Sequence, residues 1–183
     1  KYYAICHGWF CKHSCDKDRI KAPLEAWEQQ GLLTIINDIE INPDDICKWI
    51  DEQLNKYYFL KLGLDNFRYA LFNNSLKSID IDGNDKERVK MIRPSDIMKI
   101  VPVIDSLFNN HDIIVGDNPL FRWCCNNTKL IDAGKGNFVY DKIEPRSRKT
   151  DVFMAFVHAM IASQDVLEDE SNEELIFFEP LNF

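Results

Sequence analysis

The feature that most constrains the fold is a largely apolar run over residues 152–162, which follows directly after the acidic residue Asp151. A helix that is apolar almost all the way round is typically buried in a core. An acid at its first turn can cap the helix or interact favourably with its dipole. The run therefore predicts a buried helix that holds the backbone around Asp151 rigidly.

Basic residues crowd the approach to this helix, because Arg146, Arg148 and Lys149 lie just before Asp151. A fixed carboxylate beside positive charge is the arrangement that a metal-dependent enzyme acting on phosphates needs. Acids at helix starts are nevertheless common for electrostatic reasons alone. On this segment alone, helix capping is the better interpretation of Asp151.

The composition indicates a globular protein of one domain. The 183 residues are enough for a real core, and no apolar run is long enough to cross a bilayer. The first residues do not form a signal peptide, and the missing initiator Met leads us to expect an excised piece of a longer protein. The six cysteines are unevenly spread, which favours reduced thiols in a cytosolic protein.

The net charge of −8 argues against tight binding of nucleic acid by the whole surface. The charge is uneven, however. Residues 142–149 carry four bases and one acid, whereas residues 165–179 carry seven acids and no base. An acidic protein of this kind can still bind DNA along one basic strip.

Strand-like apolar segments alternate with helices that begin near Pro23, Asn42, Pro94 and Asn118. This alternation predicts an α/β fold. We expect one domain over residues 1–163 and an acidic C-terminal tail over residues 164–183. The chain has no glycine-rich loop ending in Lys-Ser or Lys-Thr, so it lacks the phosphate-binding loop of ATPases.

A second acid, Asp65, falls at the carboxyl end of a predicted apolar strand over residues 59–64. Ligands bind at that end of the strands in α/β sheets. Asp65 and Asp151 together could therefore place two carboxylates on one side of a sheet. Paired Mg²⁺ or Mn²⁺ ions for phosphodiester cleavage need such ligands, but two acids are too few and a third partner is expected.

A zinc site is the competing interpretation, because residues 6–15 contain Cys6, His7, Cys11, His13 and Cys15. Their spacing matches no common zinc pattern, and Cys6 and His7 would point to opposite faces of a strand. We therefore favour a strand cysteine in the core followed by loop residues.

Four segments in order carry a resemblance to a known family: residues 22–34, 62–68, 116–123 and 148–155. The first ends in Gln30-Gly31-Leu32-Leu33-Thr34, and the second contains a strand ending in Asp65. Together they resemble the nuclease domain of the large terminase subunit of tailed bacteriophages. Each segment is a weak signal, but four in the right order are fairly specific.

The resemblance implies an RNase H-like mixed sheet flanked by helices. It implies a two-metal endonuclease that cuts concatemeric double-stranded viral DNA, with Asp65 and Asp151 as catalytic ligands of Mg²⁺ or Mn²⁺. DNA phosphates would be contacted by Arg146, Arg148 and Lys149, with Asp117 lying near the site. The implied partners are DNA, the portal protein and the small terminase subunit, in the cytoplasm of the bacterial host and away from membranes.

The family also carries an acid on the first strand of the sheet, ahead of the part that corresponds to Lys1. We therefore expect the sheet to lack its opening strands, and the isolated chain to cleave DNA weakly or not at all. The alternative function is a non-catalytic docking module that contacts the portal or a partner subunit through the acidic tail.

Overall fold

The computed structural model describes residues 1–67 and 69–172. Its helices within these residues are α1 (Leu24–Gln29), α2 (Pro43–Leu54), α3 (Tyr69–Lys77), α4 (Pro94–Asn109), α5 (Pro119–Asn126) and α6 (Asp151–Asn172). Its strands are β1 (Tyr2–Tyr3), β2 (Gly8–Cys11), β3 (Leu33–Ile36), β4 (Leu62–Asp65), β5 (Val89–Ile92), β6 (Ile113–Ile114), β7 (Thr128–Gly134) and β8 (Asn137–Lys142).

The strands form four two-stranded sheets. β2 pairs with β3 and β4 with β5, each pair parallel and connected through one helix, α1 or α3. β1 pairs in parallel with β6, and β7 and β8 form an antiparallel hairpin. This mixture of parallel strand–helix–strand units and a hairpin confirms the α/β class predicted from the sequence. Within the described residues, the four pairs are not hydrogen-bonded into a single sheet.

Two helices begin where the sequence predicts, through the same capping chemistry. The Asn42 side chain accepts a hydrogen bond from the Asp44 amide at 3.0 Å, at the start of α2. The Asn118 side chain accepts one from the Phe121 amide at 2.9 Å, at the start of α5. A proline follows each asparagine, at a position where its missing N–H costs nothing.

The buried apolar residues form two clusters. The larger gathers side chains of α1, α4, α5 and β3 around α6, with Trp27, Ile104, Phe121 and Val157 among its most buried members. The smaller lies between α2, α3 and the β4–β5 pair, and its buried members are Cys47, Leu76, Ile81 and Val89. Helix α6 is thus the central element of the larger cluster, as the apolar run predicts.

The prediction that α6 is buried almost all the way round was wrong on one face. Asp151, Ala155 and Ala159, four residues apart, are exposed, while Val152, Phe156 and their neighbours are buried. The exposed positions recur at i, i+4 and i+8, which lie above one another on a helix. The apolar character of alanine hid this open face in the sequence.

Strand β4 runs along the buried side of α6 in the opposite direction. Gly63 approaches the helix so closely that an added Cβ would lie 2.4 Å from the His158 carbonyl oxygen. Further along the helix, the Asp165 carboxylate pairs with Lys61 at 3.3 Å and with Lys90 at 2.9 Å. These contacts join the β4–β5 pair to α6 and direct the carboxyl end of β4 toward the start of the helix.

Helix α6 extends to Asn172 and so crosses residue 163, where the predicted domain gives way to the predicted tail. The rest of that tail, residues 173–183, lies outside the described residues. The division into domain and tail therefore stays a prediction. In the part of the chain that the structure describes, no helix has the length and apolar character required to cross a membrane.

Candidate active site

A cleft of about 570 Å³ opens beside the first turns of α6. Its apolar walls come from β2, α1, α5 and α6, and include Trp9, Leu24, Trp27 and Leu120. The charged residues that line it are Asp16, Glu40, Lys142, Lys149 and Asp151. The cleft therefore brings the predicted site residues Lys149 and Asp151 together with charged groups from distant parts of the sequence.

The backbone that leads into Asp151 is held by Asn127, a buried residue only 1% exposed. The Asn127 side chain donates a hydrogen bond to the Lys149 carbonyl oxygen at 3.1 Å. Its other side-chain atom, Oδ1, accepts one from the Arg148 guanidinium at 3.3 Å. The backbone before α6 is thus held by hydrogen bonds to a residue at the end of α5. These bonds act in addition to the burial of the helix itself.

The Lys149 side chain does not extend freely toward solvent, because its Nζ lies 2.5 Å from a carboxylate oxygen of Asp16. The two residues are 133 positions apart. The hydrogen bond from Lys149 and its positive charge hold the pKa of Asp16 below its usual range. No local pattern in the sequence marks Asp16, so sequence reasoning missed it.

The two arginines predicted to contact DNA lie on the turn that precedes Lys149. The carboxylate of Glu144 accepts hydrogen bonds from the Arg146 and Ser147 amides, both at 2.9 Å. Both arginines are exposed residues, and neither lines the cleft. Lys149 is therefore the predicted DNA contact that lies inside the cleft, while Arg146 and Arg148 lie beside it.

Asp65 is the last residue of β4, as the sequence predicts, but it does not line this cleft. Its carboxylate accepts a hydrogen bond from the Phe67 amide at 2.8 Å. It also acts on His158 of α6: burial lowers the pKa of His158, and the Asp65 charge opposes that shift. Asp65 thus lies beside α6 near its contact with β4, whereas Asp151 is the first residue of the helix.

Gly63 of β4 approaches His158, which follows Asp151 by seven residues, and Asp65 lies two residues beyond Gly63 in the direction of the helix start. Within the described residues, no group of three His, Cys, Asp or Glu side chains is arranged to hold a metal ion. The structure therefore places Asp65 and Asp151 along one helix but does not gather them into a complete metal site.

Asp117 lies just before α5 and is bound to another residue. Its carboxylate forms an ion pair with Arg122 at 2.8 Å, and its side chain is 93% exposed. It is not among the residues that line the cleft. Its predicted role near the site stays a prediction.

The histidines of the competing zinc interpretation have other partners. His7 contacts the Gly31 carbonyl oxygen at 3.1 Å and the Thr34 hydroxyl at 2.8 Å. His13 contacts the Asn37 side chain at 3.1 Å. Each histidine thus meets the β3 segment or the residue after it through ordinary hydrogen bonds.

The cysteines of that interpretation do not act together. Burial raises the pKa of Cys6 to about 11, whereas Cys15 is exposed. Cys6 lies near Cys124 and Cys125, and burial raises the pKa of those two thiols to about 11 and about 12. Cys6 therefore packs against the core near the thiols at the end of α5, as predicted, but it lies between β1 and β2 and not on a strand.

Comparison with solved structures shows that this fold has been seen before. The structure is similar to the crystal structure of the HK97 bacteriophage large terminase, with a TM-score of 0.71 and 18% sequence identity. The match covers 84% of this chain and 32% of the terminase chain, so this chain spans about a third of that protein. No family model matches the sequence, and no curated protein matches it significantly. The terminase resemblance predicted from the sequence is confirmed at the level of the fold.

Proposed function

We propose that this chain is the nuclease part of a phage-type large terminase, a metal-dependent endonuclease that cuts concatemeric double-stranded viral DNA. The observation that carries the proposal is the fold similarity to the HK97 large terminase over 84% of the chain. The order of the four sequence segments supports it independently. The portal protein and the small terminase subunit are the expected packaging partners, in the cytoplasm of a bacterial host.

The proposal includes an RNase H-like arrangement of the strands. The support is that α6 packs against elements of both parallel pairs: an added Cβ on Gly8 of β2 would meet Val152, and one on Gly63 of β4 would meet His158. One helix that lies across two parallel strand pairs is what a single sheet with a flanking helix requires. In this proposal the two pairs are parts of one mixed sheet.

Asp65 and Asp151 are the proposed metal ligands. Carboxylate oxygens are the donors that Mg²⁺ and Mn²⁺ prefer, so the two residues fit these ions in donor type. They do not fit in number, because the described residues supply no third ligand beside them. The proposed site therefore needs a further acid, as the sequence resemblance implies. Bound metal ions of this kind stabilise the attacking and leaving oxygens of a phosphodiester.

Two features of the cleft support DNA binding beside the metal ligands. Lys142 and Lys149 line the wall beside Asp151, where a phosphate group can meet Lys142 directly and Lys149 in place of its Asp16 partner. The Asn127 clamp on the Lys149 carbonyl fixes the backbone from which Asp151 projects. In the proposed enzyme, Arg146 and Arg148 contact the DNA backbone beside the cleft.

The proposal is tested by plasmid nicking in Mg²⁺ and in Mn²⁺. We expect the full-length gene product to nick supercoiled DNA, and Asp65→Asn or Asp151→Asn to reduce nicking at least about a hundredfold, as expected when a group that acts on the transition state is lost. Asp51→Asn, on the exposed face of α2, is the matched control and should cut normally. Normal cutting by both site variants would remove these residues from the active site, and no cutting by the unaltered protein would refute the nuclease assignment.

The docking alternative depends on the acidic tail, of which residues 173–183 lie outside the described residues. The described part of that tail is helical and uses Asp165 to bind Lys61 and Lys90 within the chain. The docking function therefore stays a prediction from the sequence.

A further inference from the structure

The loop over residues 12–21, which connects β2 to α1, has a fixed backbone. It is anchored at one end by Cys11 and at the other by Ile20, both buried. Within the loop, the Lys17 amide donates to the Ser14 carbonyl at 3.1 Å, and the Ile20 amide donates to the Asp16 carbonyl at 3.0 Å. Side chains that project from this loop are therefore presented from a defined position.

The loop is fastened to the start of α6 by the ion pair between Asp16 and Lys149 at 2.5 Å. Arg19 joins the same carboxylate at 3.7 Å. Ser14, Asp16 and Ile20 also line the cleft that contains Asp151. The loop thus forms part of the cleft's border, although it lies about 130 residues away in the sequence.

The loop is basic in a protein that is acidic overall. It carries four basic residues, Lys12, Lys17, Arg19 and Lys21, against two acids, Asp16 and Asp18. All four basic residues are exposed. Among the described residues, the three lysines form no ion pair within 4.0 Å. Their charges are therefore available to an anion that approaches from solvent.

The charged residues that line the cleft come from several segments of the chain. Lys142 and Lys149 line the cleft together with the loop residues Ser14 and Asp16, whereas Glu40 comes from the segment after β3. The loop and the segment over residues 142–149 thus meet at one border of the cleft, and each segment carries more bases than acids. In a chain of net charge −8, this border is a local surface of positive charge.

We propose that the loop over residues 12–21 is a second DNA-backbone contact, which extends the basic border formed by residues 142–149 on the other side of Asp16. This inference rests on the proposed function, since it takes the partner to be double-stranded DNA. Lysine and arginine bind phosphate groups through charge-assisted hydrogen bonds, and each such contact releases counterions from the duplex. In this proposal the loop positions DNA and takes no part in bond cleavage.

The test is the salt dependence of DNA binding by the full chain carrying Lys17→Gln, Arg19→Gln and Lys21→Gln together. The slope of log K against log salt is negative, and each lost phosphate contact makes it less steep by about 0.9. We expect the slope of the triple variant to be less steep by about 2 to 3. At low salt, the variant should bind a 30-base-pair duplex at least about tenfold more weakly.

Two control variants show whether a change in slope is caused by lost charge at this loop, by lost charge elsewhere or by misfolding. Lys56→Gln, Lys86→Gln and Lys99→Gln together remove three exposed bases from other surfaces and should leave the slope within about 0.5 of the original. Lys17→Arg with Lys21→Arg keeps the charge and should keep the slope.

The outcomes distinguish this inference from the proposed function. If the unaltered chain binds DNA and the loop variant has the slope of the control triple, DNA contact by the loop is refuted while the nuclease proposal stands. If the unaltered chain binds no DNA at any salt concentration, the proposed function fails, and DNA contact by the loop fails with it.

Discussion

Asn127 shows how one buried side chain can organise several segments. Its side chain holds the Lys149 carbonyl and the Arg148 guanidinium, and its own carbonyl accepts a hydrogen bond from the Ile143 amide at 2.8 Å. A buried amide that satisfies both its donor and its acceptor is costly to remove, because its partners are left without hydrogen bonds. The position of Asp151 therefore depends on a residue 24 positions earlier in the chain.

Asn127→Ala tests this role. We expect the free energy of unfolding to fall by about 1–3 kcal/mol, because the Lys149 carbonyl loses its buried donor. Asn126→Ala, at the exposed last position of α5, is the neighbouring control and should change it by less than about 0.5 kcal/mol. Urea denaturation measures both values. Equal effects of the two substitutions would contradict the clamp.

The residues whose roles could be predicted from the sequence are those that form hydrogen bonds with near neighbours in the chain. Asn42 and Asn118 cap helices through amides two and three residues away, so the capping pattern is visible in the sequence. Asn127 and Asp16 act on residues 22 and 133 positions away. No periodicity or motif connects such residues, and only the folded chain brings them together.

At the scale of elements, the contact between β4 and α6 depends on the absence of a side chain at Gly63. The strand can approach the helix backbone because no Cβ stands between them. Gly8 of β2 also lies near α6, but its nearest neighbours are the ends of the Leu33 and Leu120 side chains, at 3.1 and 3.2 Å from an added Cβ. The two glycines therefore differ in what a methyl group would meet.

Gly63→Ala should destabilise the protein by about 3 kcal/mol or more, because the new methyl group meets helix backbone that cannot rotate away. Gly8→Ala is the comparison, and should cost about 1 kcal/mol since flexible side-chain ends can move. Thermal or urea unfolding measures the difference. A Gly63→Ala protein as stable as the Gly8→Ala protein would show that β4 does not approach α6 this closely.

The elements themselves were largely predictable, but their exposed faces were not. The helix starts and the strand ending at Asp65 follow from turn and capping residues. The open face of α6 at Ala155 and Ala159 could not be predicted, because alanine is compatible with burial and with exposure. Which side of a helix is covered is decided by the elements that pack on it.

At the scale of the whole molecule, an ion cluster joins the two hydrophobic clusters. Asp165 of α6 belongs to the helix at the centre of the larger one, while Lys61 and Lys90 belong to the β4–β5 region of the smaller one. The Lys61 side chain is only 7% exposed, so it depends on Asp165 for its counter-charge. Burial alone would raise the pKa of Asp165, but Lys90 and Lys61 outweigh it and lower the pKa below its usual range.

This linkage predicts a pH-dependent contribution to stability. Because the folded-state pKa of Asp165 is lowered, its contribution is complete above the ordinary aspartate pKa of about 3.9 and is lost as pH falls through the lower folded-state value. Asp165→Asn should therefore cost about 1–3 kcal/mol at pH 7, and the difference should shrink as pH falls below the ordinary aspartate pKa of about 3.9. Urea unfolding from pH 7 to pH 2 measures it, with Asp51→Asn as the exposed control. A difference as large at pH 2 as at pH 7 would contradict the ionic linkage.

The α/β class and the order of the elements could be predicted from alternating apolar and capping patterns, and the fold similarity to a large terminase agrees with the order of the four segments. The separate pairing of the strands could not be predicted, since β1 pairs with β6 across more than 100 residues. The same holds for the cleft: Lys149 and Asp151 were visible as a local basic and acidic segment, whereas the loop that borders them was not.

The hydrogen bond from Ile143 to the Asn127 carbonyl has a consequence for how this protein tolerates change. Strand β7 begins at the residue after Asn127 and β8 ends at the residue before Ile143, so this bond closes the base of the hairpin. The tip of the hairpin over residues 132–137 is exposed, whereas Tyr140 of β8 packs against the core. We therefore expect that lengthening, shortening or labelling this tip leaves the geometry at Asp151 intact, which makes it a suitable place to attach a probe.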